Sequence, residues 1–179
     1  GKGKPQTVPI GKDGSQTAPT NPLFSLQLTP SLQKEWVRLP DFPGPARIQP
    51  VLTAQQSEDG IRLSLAGGFQ PASAHQEAIV CTDMLSYHPK TKQWRNEGFL
   101  PSLAGGSHRT VTGGCAIASG DSSILLVGGV NYDRFRDALN HPEPDYLLHP
   151  FDWYKFNTSL LQYNTFTKHW THLCNYEEL

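Results

Sequence analysis

The sequence is poor in the features that usually make a function easy to name. It has only three cysteines, Cys81, Cys115 and Cys174, with no C-x-x-C pair among them, so neither a disulfide framework nor a zinc site is indicated. Charge of either sign is not in excess: 15 Lys and Arg face 16 Asp and Glu, for a formal net charge of −1. No polyanion-binding surface follows from that balance, and nucleic acid is not an expected partner. No apolar run approaches the roughly 20 residues of a membrane span, so no membrane partner is expected, and the N-terminus shows no apolar core of a signal peptide. The glycine spacings that cradle nucleotide phosphates, G-x-x-x-x-G-K-[ST] and G-x-G-x-x-G, are absent too. No cofactor and no metal are expected. "HWTHLC" sets His169, His172 and Cys174 close together, but side chains alternate faces along a strand, and the two histidines then point opposite ways.

What the sequence does contain is repetition. "IRLSLAGGF" closes an apolar run with Gly67 and Gly68, and "SILLVGGV" closes another with Gly128 and Gly129. Each is followed by a second shared segment, "MLSYHPKTKQW" ending at Trp94 and "LLQYNTFTKHW" ending at Trp170, with a tyrosine seven positions before the tryptophan. "LQLTPSLQKEW", ending at Trp36, is a degenerate third copy. The apolar run reads as a buried strand, the diglycine as a point of close backbone approach or positive φ, and "HPKTK" and "NTFTK" as turns between aromatic-bearing strands. Four short strands fit each unit.

This diglycine, tyrosine and tryptophan pattern resembles the kelch repeat, one blade of a β-propeller. The fold class predicted is therefore all-β, a kelch-type β-propeller with about two and a half blades in this chain. Residues 1–23 are expected to be a flexible N-terminal segment and 24–40 the outer strands of a partial blade. A kelch blade is expected over 41–100 and another over 101–173, with a long insertion at 130–157, leaving 174–179 as the start of a next blade or a tail. A propeller must close, so the remaining blades are expected from the rest of the protein or from another chain.

A finer resemblance rests on "EWVRLPDFPGPARIQPV", "LPSLAGGSH", "LLVGGVN" and "PDYLLHPFDWYKFNTSLLQYN". Together they are similar to the N-terminal half of the N-acetylneuraminate (sialic acid) mutarotase family, its cyclically permuted bacterial members in particular. That resemblance implies a six-bladed propeller interconverting the anomers of a sialic acid, a small sugar acid as partner, and a periplasmic or secreted location. It also implies that the acid/base carboxylate lies in a later blade, beyond Leu179, so that this chain alone is inactive. The competing expectation is a non-enzymatic kelch platform binding a protein or a carbohydrate, since fold alone does not choose.

Ring opening needs an acid and a base, and a sialic acid carboxylate calls for a planar, bidentate cation. Arg47 matches the family's Pro-Gly-x-x-Arg turn; a surface arginine at a turn is the alternative. His108 and Arg109, in "AGGSHRTV", are expected at the equivalent place in the next blade, with a turn-capping histidine as the alternative. Asn131 follows the second diglycine and is read either as a binder of sugar hydroxyls or as the holder of an Asx turn. The insertion is rich in aromatics, among them Tyr132, Phe135, Tyr146, Trp153 and Tyr154, and reads as a wall over the channel mouth or as a satellite apolar cluster. Within it "FRDALN" is expected to form one helical turn.

Overall fold

In a computed structural model, residues 21–28 and 34–176 are described. The chain divides into two compact units, residues 1–42 and 43–179. In the first, β1 (Leu23–Leu28) and β2 (Lys34–Leu39) form an antiparallel pair with Leu26 opposite Trp36. Most of the N-terminal segment expected over 1–23 lies outside the described residues.

The second unit holds two complete blades. β3 (Val51–Ser57) and β4 (Gly60–Ala66) run antiparallel. A short ribbon of β5 (Phe69–Gln70) and β6 (Ile79–Val80) interrupts the sheet before β7 (Asp83–His88) and β8 (Gln93–Phe99) complete it, in the order β3-β4-β7-β8. The next blade repeats the plan. β9 (Cys115–Ser119) and β10 (Ser123–Val127) are followed by helix α1 (Tyr132–Asn140), then by β11 (Ser159–Asn164) and β12 (Trp170–Asn175). Its strands lie side by side in sequence order.

The repeat spacing has a direct structural reason. Tyr87 sits opposite Trp94 across the β7–β8 hairpin, and Tyr163 sits opposite Trp170 across β11–β12. Seven positions are what a tight turn requires to make the two rings cross-strand neighbours, with centroids 5.1 Å and 4.7 Å apart. Both tyrosines are almost wholly buried. Between the blades lies one core in which Met84, Val51 and Ala66 of the first meet Ile124, Leu126, Leu161 and Tyr163 of the second.

The diglycines are packing devices. Gly129 has φ +101°, and a Cβ there would lie 2.8 Å from the Val111 Cα and 2.9 Å from the Thr110 carbonyl oxygen. No side chain fits. Gly68, with φ +89°, would meet Arg47 Cβ at 3.0 Å in the same way. Each diglycine therefore lets the segment entering the innermost strand cross tightly over the following strand connection.

Because neighbouring strands alternate in direction, the connections fall into two sets. The hairpin turns after β3, β7, β9 and β11 lie at one end of the blades. Segments 43–50, 67–82, 100–114 and 128–158 lie at the other and form a rim. The helix in the last of these is longer than the single turn expected, nine residues from Tyr132. Asn131 caps it, its Oδ1 accepting the Arg134 N–H at 3.1 Å, and this satisfies an otherwise orphaned first-turn donor.

Candidate functional site

The rim carries Arg47, His108, Arg109 and Asn131, and the fold does not treat them alike. Arg47 is enclosed. Its Nη2 lies 2.8 Å from Asp83 Oδ2, its Nη1 donates to the Gly67 carbonyl at 3.1 Å, and its side chain has 0% exposure. The pair ties the segment entering β3 to the first diglycine and to the start of β7.

Repeat register places Arg47 opposite a different residue from the one expected. The N–H after the first diglycine, Phe69, donates to the Ile48 carbonyl at 3.0 Å, and the N–H after the second, Val130, donates to the Thr112 carbonyl at 3.0 Å. Ile48 thus corresponds to Thr112, and Arg47 to Val111. Positive φ at Gln49 (53°) and Gly113 (71°) continues the same alignment. The expected equivalence of Arg47 with His108 and Arg109 is corrected accordingly: the longer "LAGGSHRTVTGG" connection shifts that pair two to three positions upstream.

Arg109 is also buried, at 7% exposure, but has no countercharge among the described residues. Its Nε donates to the Pro101 carbonyl at 2.9 Å, and among the described residues its two terminal nitrogens make no hydrogen bond or ion pair. Burial holds the guanidinium below its ordinary pKa, and no carboxylate offsets this. Arg109 lines a cavity of about 590 Å³ that Asn131, Lys155, Asn157, Trp170 and His172 share. So Arg109 and Asn131 are brought together, while Arg47 and His108 stand outside that cavity. His108 is exposed, its ring 4.9 Å from that of Tyr132.

Asn157 is a residue of the cavity that no motif in the sequence marks. It is 6% exposed, and its Nδ2 donates to the carbonyls of Thr110 at 2.8 Å and Val130 at 3.0 Å. Its own N–H donates to Gly129 as that of Cys81 does to Gly68. The signal was positional: Asn157 is where the chain re-enters the blade after the insertion, as Cys81 is in the blade before.

The insertion reaches back over the preceding blade. Phe135 of α1 meets Phe69 edge to face at 5.1 Å, and Asn140 Oδ1 accepts the Ala78 N–H at 2.8 Å. Beyond the helix, His149 stacks on Trp153 at 3.8 Å, and Arg134 lies over the Trp153 ring at 4.5 Å. Of the insertion's carboxylates, Asp137 pairs with His141 at 2.9 Å, and none of Asp133, Asp137, Glu143, Asp145 and Asp152 lines the Arg109 cavity. Among the described residues no group of three or more His, Cys, Asp or Glu could hold a metal ion, and no helix is long and apolar enough to cross a membrane.

Two four-stranded blades, a diglycine in each, and one shared rim define part of a β-propeller. The fold matches the solved "Structure of YjhT" with a TM-score of 0.65 at 22% identity, covering 87% of this chain and 45% of that one. The family follows from sequence: the N-acetylneuraminate epimerase family model matches residues 7–177, and the chain belongs to that family. An N-acetylneuraminate epimerase of Pasteurella multocida (strain Pm70) is 31% identical over 127 residues, 71% of this chain and 29% of that protein. One of Salmonella enteritidis PT4 (strain P125109) is 24% identical over 148 residues, 76% of this chain and 36% of that protein. The chain spans about a third of the length of these curated relatives.

Proposed function

We propose that the chain supplies blades to a propeller that interconverts the anomers of a sialic acid by acid/base ring opening, with the sugar held at the rim. The observation that carries this reading is a cavity at the rim of the two blades that Arg109 and Asn131 share, beside an insertion that spans both blades through Phe135 and Asn140. A buried cation and amides suit a carboxylate and hydroxyls. Arg47 serves this rim by fixing its frame through Asp83. Proton transfer falls to a carboxylate in another blade of the whole protein, and a periplasmic or secreted location accompanies the reading. The test is anomer exchange followed by NMR from freshly released α-N-acetylneuraminate with the full-length protein. Catalysed exchange is expected.

One observation favours a second reading, a docking platform. Leu147, Leu148 and Phe151 project from the insertion at 82%, 79% and 73% exposure, more apolar surface than a sugar rim needs. No acceleration of exchange, together with a protein partner lost on Leu147→Ser and Leu148→Ser substitution, would establish that reading instead.

A further inference from the structure

We infer that the cavity beneath the 101–109 segment binds the carboxylate of a polyhydroxylated acid, with the terminal nitrogens of Arg109 as its anchor. This deepens the sialic acid reading and rests on it for the identity of the ligand. The inference begins with a cost. A guanidinium removed from water without a countercharge is strongly unfavourable, and the same rim shows the ordinary remedy, because Arg47 has Asp83 at 2.8 Å. Among the described residues Arg109 is left unpaired in a wall of the cavity, with only its Nε engaged by the Pro101 carbonyl. That bond fixes the plane of the guanidinium and leaves its terminal edge for a bidentate acceptor.

The rest of the lining fits a sugar acid rather than an inorganic anion. A cavity of about 590 Å³ is in the range of small-ligand sites, which run from about 300 to 1,000 Å³, and is far larger than a phosphate needs. Trp170 supplies an aromatic surface for sugar C–H groups, and Asn131, Ser102, Thr158 and His172 supply hydroxyl partners. Asn157 holds the cavity together: by bonding to Thr110 and Val130 it fixes the Arg109 segment against the start of the insertion. Among the described residues no carboxylate side chain lines the cavity.

The test is direct binding to the full-length protein, measured apart from turnover. N-acetylneuraminate, its methyl ester and glucuronate are titrated by saturation-transfer NMR into wild type, Arg109→Gln and Arg109→Lys. Loss of a charge-assisted bidentate contact predicts about ten- to hundredfold weaker binding of the acid by Arg109→Gln. An intermediate affinity is expected for Arg109→Lys, and binding of the ester should be equally weak in all three. The acid-against-ester comparison in wild type needs no variant, so it stands even if a substitution disturbs folding. Equal binding of acid and ester, or wild-type affinity in a folded Arg109→Gln protein, overturns the inference. The two readings separate cleanly. Catalysed anomer exchange that Arg109→Gln leaves unchanged removes this site and keeps the proposed function. Arg109-dependent binding of glucuronate without binding or turnover of N-acetylneuraminate keeps the site and removes the function.

Discussion

Arg47 and Arg109 lie on the same rim with buried side chains and have opposite circumstances. Arg47 meets a carboxylate and a carbonyl of its own blade, so its charge is spent on structure. Arg109 meets one carbonyl and a cavity. The difference teaches that burial of a cation does not by itself mark a binding site; what matters is whether the fold has already supplied its partner. It also separates the two residues by register, since Arg47 aligns with Val111 and Arg109 falls in the longer connection before it.

The largest effect should come from breaking the paired member. Arg47→Ala leaves Asp83 without its partner beside the diglycine, and losing one partner of a buried pair costs about 3–5 kcal/mol. Urea denaturation of the full-length protein checks this. A loss below about 1 kcal/mol would make the pair no more than a surface contact and dissolve the contrast with Arg109. Next comes the crossing that both blades share. Gly129→Ala meets Val111 and Thr110 backbone atoms inside 3.0 Å at a positive φ, for a loss of about 1–3 kcal/mol. Gly105→Ala has a positive φ but nothing within 4 Å and should lose only about 1 kcal/mol.

The unpaired member should behave the other way. Arg109→Gln removes a desolvated charge that nothing in the fold balances, so unfolding free energy should change by no more than about 1 kcal/mol, with an increase expected. A loss as large as that of Arg47→Ala would show that Arg109 is structural too and that the comparison fails.

Much of this fold was written in short stretches of sequence. The diglycines, and the tyrosine seven positions before each tryptophan, could be read as blades because both are local: one is a hairpin register and the other a crossing that admits no Cβ. The candidate site was less legible. The motif around Arg47 pointed to the rim, but its partner Asp83 is 36 residues away and no spacing rule ties the two. The equivalence of the two arginines failed because the connection before β9 is longer than the one before β3, and an insertion in a loop moves register without altering any motif. Asn157 was hidden for a third reason. Its work is to bond two carbonyls, Thr110 and Val130, that the sequence places at very different distances from it.

The smallest expected effect lies at the opposite end of the blades, where a carboxylate has what Arg109 lacks. Glu97 of β8 is 6% exposed at its side chain and is surrounded by donors. Ser86 Oγ donates to its Oε1 at 2.5 Å, Arg95 Nε to the same oxygen at 2.8 Å, and the Tyr163 hydroxyl of the next blade to its Oε2 at 3.1 Å. Burial pushes its pKa up, but the Ser86 and Arg95 hydrogen bonds and the charges of Lys168 and Arg95 together outweigh burial and leave it below the ordinary carboxylate range. A folded-state pKa below the unfolded one means that the ionised form stabilises the fold. The contribution is complete above the unfolded value, near pH 4.3, and is lost as pH falls through the lower folded value. Wild type should therefore lose stability on acidification below about pH 4.3 more steeply than Glu97→Gln, while the variant is the less stable of the two at neutral pH. Thermal melts of both proteins from neutral pH into acid decide the matter. Parallel curves would mean that the donors around Glu97 hold the two blades together without favouring its charge.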